Sequence, residues 1–338
     1  MAGVATVRRS RWRPRLLMVL LGLGAGVLIV ECVLRIVLHA PPPADAGIID
    51  PIVGHLPRPG LSLRHPVKGF EINIGEHSTR LTGTSPVSTD RPLTLAAGDS
   101  FTFGEDVNDG DAWPAVLQRL IGHRVINGGV PGFGLDQTVL RAEQLAGIYA
   151  PDVIIVSFIP DDVIRCETSC YSGHNKPYFE IEESELRLRP MPPAARSTLQ
   201  QILSRSMTMQ VLLPRYLNWE GPQMTVVHRQ GEAVACRLMG RLAALGRARQ
   251  ATVLVLAQLQ VLDEPPQNRA IKDGVLKCAD ANGLFTLDLF PVVEGLTAQQ
   301  RAELFDGHMT VAGNRFVASE IASFLARKVP GVGAAGRP

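Results

Sequence analysis

Leu93-Thr94-Leu95-Ala96-Ala97-Gly98-Asp99-Ser100-Phe101-Thr102-Phe103-Gly104 reads as a short, largely apolar strand that stops at a glycine, an acid and a serine. A run of this length, apolar on both faces, fits a strand covered on both sides, as in a parallel sheet. The turn that follows leaves Ser100 at the carboxyl end of that strand, where open α/β sheets bind their ligands. Far downstream stands Asp306-Gly307-His308. A serine hydroxyl is a weak nucleophile until an imidazole takes its proton and a carboxylate holds that imidazole. Serine, histidine and acid together therefore point to nucleophilic acyl chemistry.

Outward from this stretch the chain alternates strand and helix. Helical apolar spacing runs through Ala112–Ile121, a short strand over Arg124–Asn127 ends in Gly128-Gly129-Val130-Pro131-Gly132-Phe133-Gly134, and Leu135–Tyr149 is helical again. Val153–Ile159, Thr252–Gln258 and Leu284–Leu289 read as further strands, with helices over Glu232–Ala248 and Val311–Lys328. Such alternation predicts an α/β domain with helices on both faces of a parallel sheet. Residues 165–228 interrupt it; Tyr178–Arg189 reads as a hairpin turning at Glu183-Ser184, and Ser197–Leu213 as a helix ended by Pro214. This insertion either caps the site or is a surface excursion.

The N-terminus has a different character. Arg8, Arg9, Arg11, Arg13 and Arg15 precede an uncharged apolar stretch from Leu16 to Val30, and the apolar run continues past Glu31 and Arg35 to Leu38. As a helix, residues 16–38 are about 35 Å long, enough to span a bilayer core. Glu31 and Arg35 are four apart and can pair on one face. The positive-inside rule places residues 1–15 as a cytoplasmic tail and the bulk of the chain outside the cytoplasm. The competing reading is a signal peptide cleaved near Ala44-Asp45-Ala46. Residues 39–90 read as a Pro/Gly-rich, membrane-proximal linker with one or two short strands, and 331–338 as a disordered tail.

Beyond residue 40 the chain carries 28 basic and 31 acidic side chains, so it lacks the excess positive charge that a nucleic-acid partner requires. Of the five cysteines, Cys166 and Cys170 are four apart; they are two thiols or, outside the cytoplasm, a local disulfide. No cysteine–histidine spacing suggests zinc, and neither a metal nor a cofactor is expected.

Taken together, these motifs resemble the SGNH superfamily of GDSL-type esterases and acyltransferases. Gly98-Asp99-Ser100-Phe101-Thr102-Phe103-Gly104 is similar to its first block, Asn127-Gly128-Gly129-Val130-Pro131-Gly132 to its second, Ile159-Pro160-Asp161-Asp162 to its third and Asp306-Gly307-His308 to its last. The resemblance covers roughly residues 90–328. It implies a three-layer α/β/α, flavodoxin-like sheet over residues 91–330, preceded here by one transmembrane helix. It also implies Ser100 as nucleophile, His308 as general base and Asp306 as the residue orienting it. The oxyanion would be held by the N–H groups of Ser100 and Gly132 and by the third-block residue, here Asp161. Two departures are visible. The family has an asparagine at the Asp161 position, and an ionised carboxylate cannot donate to an oxyanion; Asp161 would have to be protonated, or an asparagine such as Asn175 would have to replace it. Acid and histidine are also one residue closer than the common Asp-x-x-His. The Gly-x-Ser-x-Gly elbow of α/β-hydrolases is not matched, because Thr102 occupies its second glycine.

Membrane-bound members of the superfamily occur with envelope polysaccharide systems. The resemblance therefore implies an acylated glycan or small ester as substrate and envelope polysaccharide machinery as partner. The expected location is a single-pass membrane protein with its domain outside the cytoplasm. Hydrolysis and transfer to a sugar hydroxyl both fit. A non-catalytic glycan-binding or assembly protein is the alternative that Asp161 favours.

Overall fold

In a computed structural model of the chain, the structure describes residues 12–38, 46–64, 68–83, 92–193, 206–209, 224–261 and 263–329. Residues 1–11 of the expected 1–15 tail, the Ala44-Asp45 part of the cleavage site, most of the Ser197–Leu213 helix and the 331–338 tail lie outside these residues. The chain divides into two units, residues 1–45 with 196–220, and 46–195 with 221–338.

The first unit holds helix α1 (Trp12–Leu38). Its Arg15–Ile36 stretch has a mean hydropathy of 2.5, long and apolar enough to cross a membrane. Glu31 and Arg35 pair as expected, at 2.7 Å. The Glu31 carboxylate also accepts four hydrogen bonds, from the N–H groups of Met207 and Thr208 and the hydroxyls of Ser206 and Thr208.

The second unit is built on five strands: β5 (Thr94–Ala97), β6 (Val125–Asn127), β7 (Val153–Phe158), β13 (Thr252–Ala257) and β14 (Phe285–Asp288). All pair in parallel, in the order β14-β13-β7-β5-β6. The first strand in sequence therefore lies between the second and third, which is the flavodoxin-like order, with its switch point between β5 and β7. Side chains alternate between two cores with a period of two. Leu95, Ala97, Ile154, Val156, Val253 and Val255 enter the core beneath helices α4 (Leu135–Tyr149), α6 (Gly231–Arg249) and α7 (Pro266–Ala281). Ala96, Val153, Ile155, Leu254 and Leu256 enter the opposite core, beneath α3 (Trp113–Ile121) and α10 (Val311–Lys328). The three-layer α/β/α expectation is met.

Other elements go beyond what the sequence led us to expect, which in residues 39–90 was one or two short strands. The stretch read as a linker forms two antiparallel hairpins, β1 (Gly47–Asp50) with β2 (Gly54–Pro57) and β3 (Ser62–Arg64) with β4 (Glu71–Asn73). Within the insertion, β8 (Thr168–Tyr171) lies between β9 (His174–Asn175) and β12 (Met224–Val226). The hairpin of β10 (Tyr178–Glu182) and β11 (Glu185–Arg189) turns where expected, with Glu183 and Ser184 both at positive φ.

The disulfide joins Cys236 on α6 to Cys278 on α7. Cys166 and Cys170 are buried and neither takes part in a disulfide, so of the two readings left open the local bridge is not the one found.

Candidate active site

The site grows from the end of β5. Gly98 is required by close packing, because a Cβ there would stand 2.1 Å from Thr102 Oγ1. Asp99 caps helix α2 (Ser100–Phe103), its Oδ1 accepting from the Phe101 N–H at 2.9 Å. Ser100 is thereby the first helical residue, where the N–H has no acceptor within the helix. Its Oγ lies 3.1 Å from His308 Nε2, a hydrogen bond between groups 208 residues apart in sequence. His308 stands on the two-residue strand β16 (His308–Met309), paired with β15 (Phe305–Asp306) across Gly307, whose φ of +78° suits the tight turn.

The expected third member is placed differently. Asp306 is exposed, and among the described residues it makes no hydrogen bond or ion pair with the His308 ring. The carboxylates that face the ring come from the loop after α2. Asp106 Oδ2 is 3.9 Å from Nδ1, and Glu105 Oε2 is 3.5 Å from Nε2. Asp106 sits at φ +73° and also binds Lys68 Nζ at 2.8 Å, which holds the Lys68 ammonium in its charged form. Arg80 shapes this loop. It is fully buried and donates to the carbonyls of Phe103, Gly104 and Val107 and to the Asp109 carboxylate. Nothing in the sequence marks Arg80, which lies in the stretch read as linker.

The third-block acids divide their roles. Asp162 is fully buried at the start of α5 (Pro160–Arg165), accepting from the Ile159 N–H at 3.1 Å and from Arg165 Nη1 at 2.7 Å. Arg165 Nη1 is also 3.4 Å from Asp99 Oδ2, so one guanidinium serves two buried carboxylates beneath the serine. Burial pushes both carboxyls above the usual range, while Arg165 draws them down. The Asp162–Arg165 spacing of three was a legible signal for this pair. Asp161 is only half-buried, and its Oδ2 accepts from Gln260 Nε2 at 2.7 Å. The Asn175 amide donates to the carbonyls of Pro192 and Pro193, so it is committed away from the substitute role raised for it.

The second block forms the opposite wall. Asn127 is structural, its side chain bridging the Gly129 N–H and the Phe103 carbonyl. The Val130 N–H binds the Gly98 carbonyl at 3.0 Å, tying the Gly132 turn to the serine loop. Among the described residues, the Gly132 N–H donates to no acceptor. Tyr171 of β8 lies over this turn, within 4 Å of where a Gly132 Cβ would be, so the insertion contributes to the wall of the site.

The solved structures similar to this chain include a protein described as lipolytic, of the G-D-S-L family, from Desulfitobacterium hafniense DCB-2 (14% identity, TM-score 0.41, covering 68% of this chain and 98% of that one). They also include a lipase/acylhydrolase from Enterococcus faecalis (14%, 0.42, 71% and 98%) and a catalytic mutant of an acetylxylan esterase from Geobacillus stearothermophilus (15%, 0.41, 75% and 100%). One neighbour is described as of the G-D-S-L family, and several others as esterases or lipases. No protein-family model matches the chain, and no curated protein does.

Proposed function

We propose that this chain is a membrane-anchored serine esterase whose working pair is Ser100 and His308. The observation that carries the reading is the 3.1 Å approach of Ser100 Oγ to His308 Nε2 at the switch-point end of the sheet. In this reading Nε2 takes the hydroxyl proton as Oγ attacks the ester carbonyl. The Ser100 and Gly132 N–H groups receive the developing oxyanion, and Nε2–H returns the proton to the leaving alkoxide. Water, activated by the same nitrogen, releases the acid from the acyl-enzyme. The family resemblance implies Asp306 as the group orienting His308; the 3.9 Å approach to Nδ1 supports Asp106 instead. Asp161 would stand beside the oxyanion site as an acceptor held by Gln260 rather than as a donor, which leaves two backbone donors.

The substrate we infer is an acyl ester, an acetyl ester above all, on a glycan outside the cytoplasm. The apolar helix α1 and the Cys236–Cys278 disulfide support that location, because structural disulfides persist where the compartment is oxidising. A sugar hydroxyl replacing water would make the same acyl-enzyme a transferase.

The test is hydrolysis of p-nitrophenyl acetate by the full chain in detergent, beside Ser100→Ala and Asp161→Asn. Loss of at least about 10³-fold in Ser100→Ala is expected, because the nucleophile and its base act as a unit. A gain in Asp161→Asn would mean that the carboxylate limits the oxyanion site. Absence of Ser100-dependent turnover toward both p-nitrophenyl acetate and acetylated oligosaccharides, in protein shown to be folded, would favour the binding-protein reading.

A further inference from the structure

Val130-Pro131-Gly132-Phe133 is a β-turn closed by the Phe133 N–H on the Val130 carbonyl at 3.3 Å. Proline at its second position and a glycine at φ +78° in its third make it a type II turn. Type I and type II turns share the same ends and differ by a half-rotation of the central peptide. Here that peptide consists of the Pro131 carbonyl and the Gly132 N–H. In a trans peptide these two groups point in opposite directions, so whatever fixes the carbonyl also aims the N–H.

The Pro131 carbonyl is fixed. His55 Nε2 stands 2.9 Å from Pro131 O, across 76 residues of sequence. A carbonyl can only accept, so Nε2 carries the proton. Among the described residues, Nδ1 is buried with no hydrogen-bond partner, which leaves the Pro131 carbonyl as the ring's only one there. The ring itself is held on three sides. His55 is in register with Ile49 in the β1–β2 hairpin, stacks on His174 at 4.7 Å and meets the Phe133 ring edge-on at 5.2 Å. Asp50 braces the hairpin turn by accepting from the N–H groups of Ile52 and Val53.

We infer that His55 is a positioning residue for the oxyanion site. By donating to Pro131 O it holds the 130–133 turn in its type II form and presents the Gly132 N–H to the substrate side. This deepens the esterase reading and rests on the Gly132 N–H being an oxyanion donor. It also gives the first hairpin, outside the strand–helix alternation, a part in the chemistry.

The experiment compares full-length wild type, His55→Phe and His55→Gln in detergent, with Ser100→Ala as blank. Two readouts are taken, kcat and KM for p-nitrophenyl acetate and the orientation of the 131–132 peptide in crystal structures. Phenylalanine keeps the ring volume without the donor, whereas glutamine keeps an N–H donor. Expected for His55→Phe is a fall in kcat of about 10–10²-fold, up to the loss of one oxyanion donor, with KM within about threefold. His55→Gln should recover most of that loss, and in His55→Phe the Gly132 φ should leave the positive region. A His55→Phe crystal structure that keeps Gly132 near +78° overturns the inference whatever the activity. So does a rotated peptide with unchanged kcat. If wild type shows no Ser100-dependent turnover, the esterase reading fails separately, and the peptide orientation still decides whether His55 sets the turn. If His55→Phe does not fold, His55→Ala takes its place in both readouts.

Discussion

Ser100 is 7% exposed, and the groups around it show how one short motif acquires its chemistry. Strand-end logic and residue type single out Ser100 and His308 in the sequence, and the fold brings the two side chains to 3.1 Å. The carboxylates nearest the His308 ring were not legible in the same way. Asp306 is two residues from His308, but on a hairpin with a one-residue turn that proximity in sequence does not bring the carboxylate to the ring. Asp106 faces Nδ1 at 3.9 Å from a different loop, which no spacing rule announces, and under the proposed function it takes the orienting role. Asp106→Asn is therefore expected to lower kcat/KM for p-nitrophenyl acetate by about 10²–10⁴-fold, the range for loss of the orienting acid. Asp306→Asn should stay within about threefold. Steady-state kinetics of the two variants side by side distinguishes these roles. Arg165 carries a different burden. Removing it strands Asp99 and Asp162 as buried carboxylates, so Arg165→Met should lose about 3–5 kcal/mol of stability, measured by urea unfolding.

At the scale of elements, helices α4 and α10 match the bounds read from the sequence, and β5, β7 and β13 fall within a residue of theirs. Their apolar periodicity is strong, since each packs into one of the two cores. The elements that were missed have weak signals for physical reasons. Helix α7 starts at a proline, contains Gly274 and buries a narrow apolar stripe of Ile271, Val275, Leu276 and Ala279 beside Lys272. Strands β1 to β4 are three or four residues long, too short for alternation to show. Their importance comes from what they carry: β2 carries His55, and Arg80 follows β4. Burial holds the His55 ring down to about 4, against an ordinary value of 6.5. Between these values the unfolded chain binds more protons than the folded one, so this residue's contribution to stability rises with pH and is lost as pH falls from about 6.5 to 4. Urea midpoints measured across that range should therefore fall less in His55→Phe than in wild type. The α6–α7 disulfide spans 42 residues, and a loop of that length implies about 4 kcal/mol from chain entropy. Cys236→Ser with Cys278→Ser should lower the melting temperature, and reductant should lower that of wild type but not of the double variant.

For the molecule as a whole, charge separated the first 40 residues from the rest before any element was assigned. The flavodoxin-like order followed from strand–helix alternation and the family resemblance, and it is met strand for strand in the central sheet. The proposed anchoring rests on α1, which is long and apolar enough to cross a membrane, and it has its own test. Full-length protein expressed in cells should remain in the membrane pellet after alkaline carbonate extraction, and a chain starting at residue 46 should not. Recovery of the full-length protein in the supernatant, shortened by about 45 residues, would instead favour the cleaved signal peptide.

The distribution of cysteines also sets a biogenesis problem. In the unfolded chain Cys166 and Cys170, four residues apart, meet far more often than Cys236 and Cys278, because closing the longer loop costs more entropy. Yet the finished domain buries the close pair, with Cys166 Sγ on the Asp162 carbonyl, and builds its disulfide from the distant one. Oxidation that outruns folding therefore traps the chain with the wrong partners. Recovery requires thiolate attack on the mistaken bond before α5 and β8 close over it. Refolding from the reduced, denatured state should accordingly be faster and more complete in a glutathione redox pair than in air. In the cell, this chain is expected to depend on a disulfide isomerase as well as an oxidase.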